Sequence, residues 1–580
     1  MKKYNVNFIN QNKTIIFQEG TSLELVCQEA GYPLDLVCNG KGRCGKCKIE
    51  IESNNVKSIM LACQTKLCSD LIIYLKESDY KKSANILEDI TSEGYNFNPP
   101  LRKIYKDKKA IYEEGKDGFL RNCNIEILRK FSEIINEDDC KGVTFVFYNE
   151  EVIDVQMNET TSVLYGAAAD IGTTTVVLYV YNMVDGSLIS TYSDLNSQIS
   201  VGADVISRIN KASIKNGLSE LNGKIIQTLN NLVERAEFDL PNLKENLYNI
   251  ILCGNSAMQH LFLGLRPDSL GISPFTSITN DYAVLYGRDI SLKCNDRCKI
   301  VFLPLLGGFV GADTTAVLLT MEEDKKEKLI IDLGTNGEIA VGSINTYLVA
   351  STACGPALEG GNIEWGMRGT QGAIEKVKIE NNNVILNVIG NVEPSGICGS
   401  GIIDVVAELL RNKIIDNTGR MLSYDEYKQM MPYSKLSERL MEVNGINSFI
   451  LYEKDNKAIC INQRDVRQIQ LAKSSIYSGC MALLNACGKS LEDIDEVAVA
   501  GAFGNYIDVN NAVYIGLLPN KVSKIRAMGN GAGKGSAMFL LDRDMWDKCN
   551  KIVGNTAHFE LANDENFTAW YLNSMSFGIN

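Results

Sequence analysis

The sequence predicts a multidomain α/β protein whose larger part is a duplicated fold, preceded by a small cysteine-rich unit. Two segments share one pattern: an apolar strand, an aspartate, a Gly-Thr turn and a second strand. They are residues 168–177, which contain Asp170, and residues 329–340, which contain Asp332. A single copy is ordinary hairpin chemistry. Two copies favour two related halves that close on one ligand.

Length, composition and charge exclude several classes of protein. The 580 residues suffice for three or four domains, and 45% hydrophobic with 22% charged residues is ordinary for a globular chain. The net charge of −13 argues against a nucleic-acid surface and against anionic membranes. The first residues alternate like a strand and do not resemble a signal peptide, and no apolar run approaches the ~20 residues that span a bilayer. We therefore expect a cytoplasmic protein with no nucleic-acid or membrane partner.

The N-terminal residues hold the clearest metal pattern in the chain. Residues 3–18 alternate like a hairpin, and residues 22–30 follow as a short helix. A glycine-rich loop then gives the spacing C-x5-C-x2-C, with a further cysteine after 15 intervening residues, in a chain that has 17 cysteines and only 2 histidines. The four thiols are those of Cys38, Cys44, Cys47 and Cys63. This spacing favours a [2Fe–2S] cluster, because glycines let backbone amides point at sulfur.

Two alternatives to that cluster remain at the level of the residues alone. A structural zinc site more often has paired CxxC knuckles, and this segment has one. The thiols could also hold no metal. Cys68, just beyond Cys63, is a rival for the position of fourth ligand.

Residues 79–100 are polar, end in Asn-Pro-Pro and predict a linker. Residues 101–163 predict a small α+β unit with a helix over 124–136 and a strand pair at 142–147 and 152–155. The duplicated region follows over 164–580, with halves at about 164–325 and 326–580. These boundaries, with a first domain over 1–78, are our expected domain organisation.

The duplicated region contains further candidates for a nucleotide site. A Gly-Thr turn between strands offers N–H groups and a hydroxyl to an anion, and an aspartate at the strand end can hold hydrated Mg2+. The glycine-rich residues 395–401 open a helix at 402–410, where an anion or a ribose hydroxyl would fit. Asp404, in that helix, could accept from a ribose or favour the helix dipole. Residues 529–535 superficially suggest a Walker loop but lack the required spacing before the lysine.

The two aspartate-bearing segments resemble the phosphate segments of the acetate kinase, sugar kinase, Hsp70 and actin (ASKHA) superfamily. The cysteine pattern, with its hairpin and helix, resembles a [2Fe–2S] ferredoxin of β-grasp fold over residues 1–78. This order of domains is similar to that of reductive activators of corrinoid proteins. The resemblance implies that ATP drives an electron from the cluster onto a Co(II) corrinoid. The product would be Co(I), the methyl acceptor of methyltransferase and O-demethylase systems.

The resemblance also implies roles for individual residues. Cys38, Cys44, Cys47 and Cys63 would ligate the cluster. Phosphates and Mg2+ would be held by Asp170, Gly172, Thr173 and Thr174 in the first half, and by Asp332, Gly334, Thr335 and Asn336 in the second. The nucleoside would be bordered by Gly399, Ser400, Gly401, Gly501 and Gly504. Asp313 is a candidate for the carboxylate that orients water, against the simpler interpretation of a helix N-cap or first-turn acid.

The implied partners are a corrinoid protein, an upstream low-potential electron donor and a second copy of the chain through the ASKHA domain. Two other functions compete. A dehydratase activator of the same superfamily shares one [4Fe–4S] cluster across a dimer and lacks a ferredoxin domain. A redox-regulated small-molecule kinase would need an acceptor pocket, for which the sequence offers no sign.

Overall fold

The computed structural model describes residues 2–9, 13–30, 34, 47–53, 56–74, 95–114, 120, 123–202, 204–454, 457–501, 507–520, 522 and 524–578. Four expectations fall partly or wholly outside these residues: Cys38, Cys44, Gly504 and residues 79–94 of the linker. Of the helices within the described ranges, none is both long and apolar enough to cross a membrane.

The N-terminal unit is a five-stranded mixed sheet with one helix in its core. Its elements are β1 (Lys3–Phe8), β2 (Lys13–Gln18), α1 (Leu23–Glu29), β3 (Lys48–Ser53), β4 (Val56–Leu61) and β5 (Leu71–Tyr74). The strand order is β2-β1-β5-β3-β4, and β1 pairs with β5 in parallel. The apolar side chains of α1, such as Val26, pack on Val6 and Ile73 in a core formed by this unit's own residues. This is the β-grasp arrangement that the sequence predicts.

The second unit is an antiparallel three-stranded sheet, ordered β6-β7-β8, with its own core. Its elements are β6 (Leu101–Asp107), α2 (Lys108–Glu114), α3 (Ile125–Asn136), β7 (Gly142–Tyr148) and β8 (Glu151–Met157). The Asn124 side chain accepts from the Ile127 amide and so caps α3, whose first helical residue is Ile125. Sequence reasoning found α3, β7 and β8 but missed β6 and α2.

Asp154 fixes this second unit to the duplicated region. Its carboxylate is buried, and Oδ1 accepts from Lys130 Nζ at 2.7 Å and from Arg297 Nη1 at 2.5 Å. Oδ2 accepts from the Tyr248 hydroxyl at 2.6 Å. Lys130 belongs to α3, whereas Tyr248 and Arg297 belong to the following region. The carboxylate therefore joins two units through charge-assisted bonds.

We expect Asp154→Ala to lower the free energy of unfolding by about 3 kcal/mol, because it leaves two cations and a buried hydroxyl without their acceptor. Urea unfolding monitored by amide exchange of residues 142–157 would measure the loss. The matched control is Glu150→Ala, whose carboxylate is 81% exposed in its pair with Arg102 and should cost less than ~1 kcal/mol. Equal effects of the two variants would contradict the role given to Asp154.

The first half of the duplicated region is a six-stranded sheet flanked by helices, ordered β11-β10-β9-β12-β14-β13. Its strands are β9 (Tyr165–Ile171), β10 (Thr175–Asn182), β11 (Leu188–Leu195), β12 (Leu247–Gly254), β13 (Ala283–Tyr286) and β14 (Lys299–Phe302). Its helices are α4 (Val205–Ala212), α5 (Gly217–Asp239), α6 (Leu243–Asn246), α7 (Ser256–Leu263) and α8 (Ala312–Leu319).

The second half has another six-stranded sheet and two inserted three-stranded sheets. The main strands are β15 (Lys328–Leu333), β16 (Gly337–Ser343), β17 (Thr346–Thr352), β24 (Glu496–Ala500), β25 (Ile525–Gly529) and β26 (Thr556–His558). The inserted strands are β18 (Ala373–Glu380), β19 (Asn383–Val388), β20 (Gly396–Ile397), β21 (Leu440–Val443), β22 (Ile446–Lys454) and β23 (Lys457–Asn462). The helices are α9 (Gly399–Arg411), α10 (Tyr424–Met430), α11 (Gln463–Ala486), α12 (Val509–Tyr514), α13 (Gly531–Leu541), α14 (Met545–Gly554) and α15 (Phe567–Asn573).

The two large sheets have the same topology, which confirms the predicted duplication. Five strands run β11-β10-β9-β12-β14 in one and β17-β16-β15-β24-β25 in the other. In each sheet the central strand, β9 or β15, pairs antiparallel with the next strand in sequence and parallel with a later one, β12 or β24. Asp170 and Asp332 therefore occupy equivalent strand ends.

One stretch departs from the expected division into halves at 164–325 and 326–580. Helices α13 and α14 follow the second sheet in sequence, yet their apolar side chains, including Phe539 and Ile552, belong to the core of the first half. The chain then returns, and β26 pairs with β17 in the second sheet. The sequence pattern does not reveal this exchange. An apolar helix shows that it is buried, but which sheet it packs against is decided by tertiary packing.

The last part of the expected linker, residues 95–100, is bound to the duplicated region. The Asn98 amide donates to Leu541 O at 3.0 Å, and Arg543 N donates to Asn98 O at 2.9 Å. The Phe97 ring lies against Gly186, where a Cβ would be only 2.6 Å away. The linker expected over 79–100 is thus too long by these residues.

Candidate nucleotide and cluster sites

The first hairpin turn, residues 172–174 between β9 and β10, is fixed from behind. Its three carbonyl oxygens accept hydrogen bonds from Asn196 Nδ2, Arg208 Nη2 and the Asn196 amide. The Thr173 hydroxyl accepts from Asn255 Nδ2 at 3.0 Å. Because the protein binds all three carbonyl oxygens, the turn is held in one conformation. Such a turn can present its N–H groups to an anion.

The second turn, residues 334–336 between β15 and β16, is one residue shorter than the first when both are counted between paired strand residues. Gly334 N donates to Asn336 O at 3.0 Å, two residues on, whereas Gly172 N donates to Thr175 O at 2.9 Å, three residues on. Its surroundings also differ in charge. The Thr335 hydroxyl donates to Glu359 Oε2 at 2.9 Å, so this turn is faced by an acid.

An equivalent glycine lies beside each turn, at the end of the neighbouring parallel strand. Gly254 has φ +155° and Gly501 has φ +114°. A Cβ at Gly254 would lie 2.6 Å from Ile171 O, and one at Gly501 would lie 2.3 Å from Leu333 O. Both positions therefore require glycine to let two strands approach at the cleft. Gly501 was expected at the nucleoside, and Gly254 was not singled out.

Five acidic side chains converge between the two turns: Asp170, Asp313, Asp332, Glu338 and Glu359. Burial raises the pKa of Asp170 to about 6, and the Asp313 carboxylate adds to the rise. Burial also raises the pKa of Asp313 to about 6. The pKa of Asp332 rises to about 8, through burial and then the charges of Asp313 and Asp170. Acids of the first half raise the pKa of acids of the second, so the carboxylates of the two halves are close neighbours.

Glu338 and Glu359 extend this acidic surface on the side of the second half. Burial, Asp313 and Asp332 together raise the pKa of Glu338 well above its ordinary value. The pKa of Glu359 is raised by burial and lowered by its bond from Thr335. Within the described ranges, no three acids, histidines or cysteines are close enough to hold an ion among themselves. A cation here would need oxygen ligands from phosphates or water as well.

Asp313 is an acid in the first turn of its helix, as one of the two simpler interpretations expects, but it does not cap that helix. The N-cap of α8 is Gly311, and Asp313 Oδ1 accepts from the amide of the next residue, Thr314, at 2.7 Å. Asn530 Nδ2 contacts Asp170 Oδ2 at 3.3 Å and also donates to the Tyr179 hydroxyl at 2.9 Å. Asn530 is the N-cap of α13. The glycine-rich residues 529–535, which superficially suggest a Walker loop, therefore begin a packed helix next to Asp170.

The residues expected at the nucleoside are mostly inside the protein. Gly399, Ser400 and Gly401 are buried in the first turn of α9, which begins three residues earlier than predicted. The Ser400 hydroxyl donates to Glu375 O at 3.0 Å, and a Cβ at Gly401 would lie 2.2 Å from Ile374 O. Close packing of α9 on β18 accounts for this glycine.

Asp404 has a structural use instead of the two that the sequence suggested. Its Oδ1 accepts from Asn511 Nδ2 at 2.6 Å, and its Oδ2 accepts from the Val377 amide at 3.2 Å. The carboxylate therefore ties α9 to β18 and α12. Neither a ribose contact nor the helix dipole is needed to explain it.

Two of the expected cluster ligands lie side by side in the N-terminal unit. The Sγ atoms of Cys47 and Cys63 are 3.2 Å apart, much longer than a disulfide bond. Cys63 is half-buried, and Cys68 is exposed. Two converging thiols in a partly buried position fit the donor set that a [2Fe–2S] cluster requires.

Comparison with known proteins agrees with an iron–sulfur site in the N-terminal unit and a nucleotide site in the duplicated region. Family models match residues 326–579 (C-terminal domain of RACo, the ASKHA domain), 165–326 (RACo middle region) and 7–68 (2Fe-2S iron-sulfur cluster binding domain). The corrinoid activation enzyme RamQ of Eubacterium limosum is 40% identical over 578 residues, which is 96% of each chain. The chain belongs to the RACo family of reductive activators of corrinoid proteins.

Two further RACo-family relatives support the assignment. A [Co(II) methylated amine-specific corrinoid protein] reductase of Methanosarcina barkeri is 24% identical over 449 residues, covering 71% of this chain and 77% of its own. A solved reductive activator for corrinoid, iron-sulfur protein matches with a TM-score of 0.74 and 27% identity, over 99% of this chain and 98% of its own. The family includes a [2Fe–2S] domain and an ATP-binding ASKHA domain, which confirms the predicted fold class, enzyme class and two of the cofactors.

Sequence reasoning missed several residues of this RACo-family cleft. Asn255 and Glu359 contact the two turns, Glu338 joins the acids, and Arg208 lies behind the first turn. Glu338 alone had a local signal, since it follows the second Gly-Thr turn directly. The others reach the cleft from distant elements, and no local pattern marks them.

Proposed function

We propose that this protein hydrolyses ATP to drive reduction of a Co(II) corrinoid protein to the Co(I) state. The observation that carries the proposal is the pair of equivalent turns whose aspartates, Asp170 and Asp332, face one shared acidic space. A two-sided cleft of this kind suits a polyphosphate with its cation. The converging thiols of Cys47 and Cys63 in a separate unit supply the redox half of the reaction.

At the nucleotide, each half is assigned a part. The N–H groups of residues 172–174 and 334–336, with the hydroxyls of the first turn, hold the phosphates. Asp170 and Asp332 hold Mg2+ through its water ligands, because the described acids are too far apart to enclose it directly. Asp313 orients the attacking water, since its carboxylate lies near both other acids and does not cap its helix.

At the cluster, the four ligands are assigned as Cys38, Cys44, Cys47 and Cys63. When bound, a [2Fe–2S] centre supplies a one-electron relay near about −400 mV. Co(I) is the stronger reductant, so the transfer is uphill and needs a second source of free energy. Closure of the cleft on ATP can supply it by changing the affinity for the Co(II) state.

The remaining partners are also part of the proposal. A low-potential electron donor must reload the N-terminal unit after each turnover, and a corrinoid protein of a methyltransferase or O-demethylase system is the acceptor. Association of two copies through the ASKHA domain stays a prediction, which sedimentation can test.

The ligand assignment predicts the visible spectrum of cysteine variants. We expect Cys47→Ala and Cys63→Ala each to abolish the iron–sulfur absorption, because each removes one of four thiolates. Cys38→Ala and Cys44→Ala should do the same. Cys68→Ala is the matched control and should keep the full spectrum, since its thiol is exposed. Colour retained in Cys63→Ala and lost in Cys68→Ala would reassign the fourth ligand.

The function itself is tested by anaerobic mixing with a Co(II) corrinoid protein and a chemical reductant, with and without ATP. We expect the Co(I) absorption to appear at a useful rate only with ATP and Mg2+. Co(I) formation at the same rate without nucleotide, or phosphorylation of a small molecule in place of reduction, would overturn the proposal.

A further inference from the structure

Arg208 lies directly behind the first phosphate turn, and no role has yet been assigned to it. It is on α4, and its side chain is fully buried, with 0% exposure. Nη2 donates to Thr173 O at 2.5 Å, Nε to Gly202 O at 2.8 Å and Nη1 to Gln198 Oε1 at 3.1 Å. The guanidinium is therefore held rigidly by neutral acceptors.

A buried cation surrounded by neutral groups is unfavourable, because a charge taken out of water needs an opposite charge nearby. Within the described part of the chain, no carboxylate forms an ion pair with Arg208. The acid that influences it, Asp204, uses Oδ1 to cap α4 through the Ser207 amide at 2.8 Å. Burial is the dominant influence and lowers the pKa of Arg208 to about 9.

We propose that the counter-charge of Arg208 is the phosphate chain of the nucleotide, so that this residue makes affinity depend on the number of phosphates. The inference rests on the proposed function. It places Arg208 as a positioning residue, one peptide unit away from the ligand.

The contact with Thr173 explains how the charge is transmitted. Thr173 O belongs to the peptide unit whose N–H is that of Thr174. A cation bonded to the oxygen polarises this unit and strengthens its N–H as a donor on the opposite side. In the second turn the equivalent carbonyl, Thr335 O, accepts from the neutral Cys354 thiol at 3.5 Å. The Thr335 hydroxyl faces Glu359, and the charge of Arg368 acts on that carboxylate. Among the carbonyls with described bonds, a cation therefore bonds the first turn directly, and the phosphates that this turn holds are the ones whose binding depends on Arg208.

The test compares equilibrium binding of adenosine, ADP and a non-hydrolysable ATP analogue, each with Mg2+, to the full-length protein. We expect Arg208→Gln to weaken the ATP analogue about 10-fold or more, ADP less, and adenosine less than about 2-fold. Arg208→Lys keeps a charge and should recover much of the ATP affinity. Arg235→Gln is the matched control, because Arg235 is exposed and donates to Ser193 O in the same half.

Two results would contradict the role of the Arg208 charge. Equal weakening of adenosine and the ATP analogue, or an Arg208→Lys variant as weak as Arg208→Gln, would overturn the charge role. Far-ultraviolet circular dichroism and the iron–sulfur spectrum check that each variant is folded. If Arg208→Gln does not fold, the ratio of ATP-analogue affinity to adenosine affinity is measured in Arg208→Lys and compared with that of the wild-type protein. Wild-type protein that binds no ATP would refute the proposed function itself, whereas normal binding by Arg208→Gln would refute only this inference.

Discussion

A chain shortened to residues 95–580 is expected to bind the Co(II) corrinoid protein and to show corrinoid-stimulated ATP hydrolysis, but to reduce no cobalt. The N-terminal unit has a core of its own, so its removal leaves the other cores complete. Starting at Tyr95 keeps the bonds that Asn98 makes to Leu541 and Arg543. Pull-down with the corrinoid protein, phosphate release and the Co(I) spectrum measure the three properties.

The full-length Cys47→Ala variant is the control for this truncation. It should lose cobalt reduction to the same extent while keeping the whole chain. If residues 95–580 fail to bind the corrinoid protein while residues 1–80 bind it alone, docking occurs on the N-terminal unit and our division of labour is wrong.

Asp170→Asn and Asp332→Asn are each expected to lower kcat for ATP hydrolysis by about 10²–10³-fold, because a carboxylate that places the cation also stabilises charge in the transition state. The iron–sulfur spectrum should be unchanged, since the two residues lie in sheets separate from the N-terminal unit. Steady-state phosphate release over a range of Mg2+ concentrations separates weaker cation binding from a slower chemical step.

Asp185→Asn is a suitable control for the aspartate variants. Asp185 is exposed in the turn between β10 and β11 and bonds to Ser187, so its loss changes the charge of the same half without entering the cleft. Unchanged ATP turnover in both Asp170→Asn and Asp332→Asn would show that the phosphate site is elsewhere.

The hairpins of the cleft were predictable because all their information is local. Asp170 and Asp332 each follow an apolar strand and precede a Gly-Thr turn, so neighbours in sequence are neighbours in space. The same holds for the N-terminal hairpin. Alternation and turn chemistry specify such units without reference to the rest of the chain.

The surroundings of those hairpins were not predictable, because they come from long-range packing. Arg208 and Glu359 reach the turns from separate helices or loops, and each side chain alone resembles an ordinary charged residue. The place of the glycines at 399 and 401 beside a nucleoside stays a prediction for a related reason. A glycine-rich helix start has the same appearance whether it approaches a ligand or a neighbouring strand, and here Gly401 approaches Ile374 O.

The exchange of α13 and α14 into the first half has a consequence for biosynthesis. The strands that these helices cover are complete by residue 302, but the helices are made only with residues 531–554. At ~5–20 residues per second, the nascent first half waits about 10–50 s with an apolar face exposed. A premature stop before residue 531 would therefore damage the earliest-made half of the ATP-binding region as well as the half in which it falls, and until the two helices are made the first half should depend on chaperones.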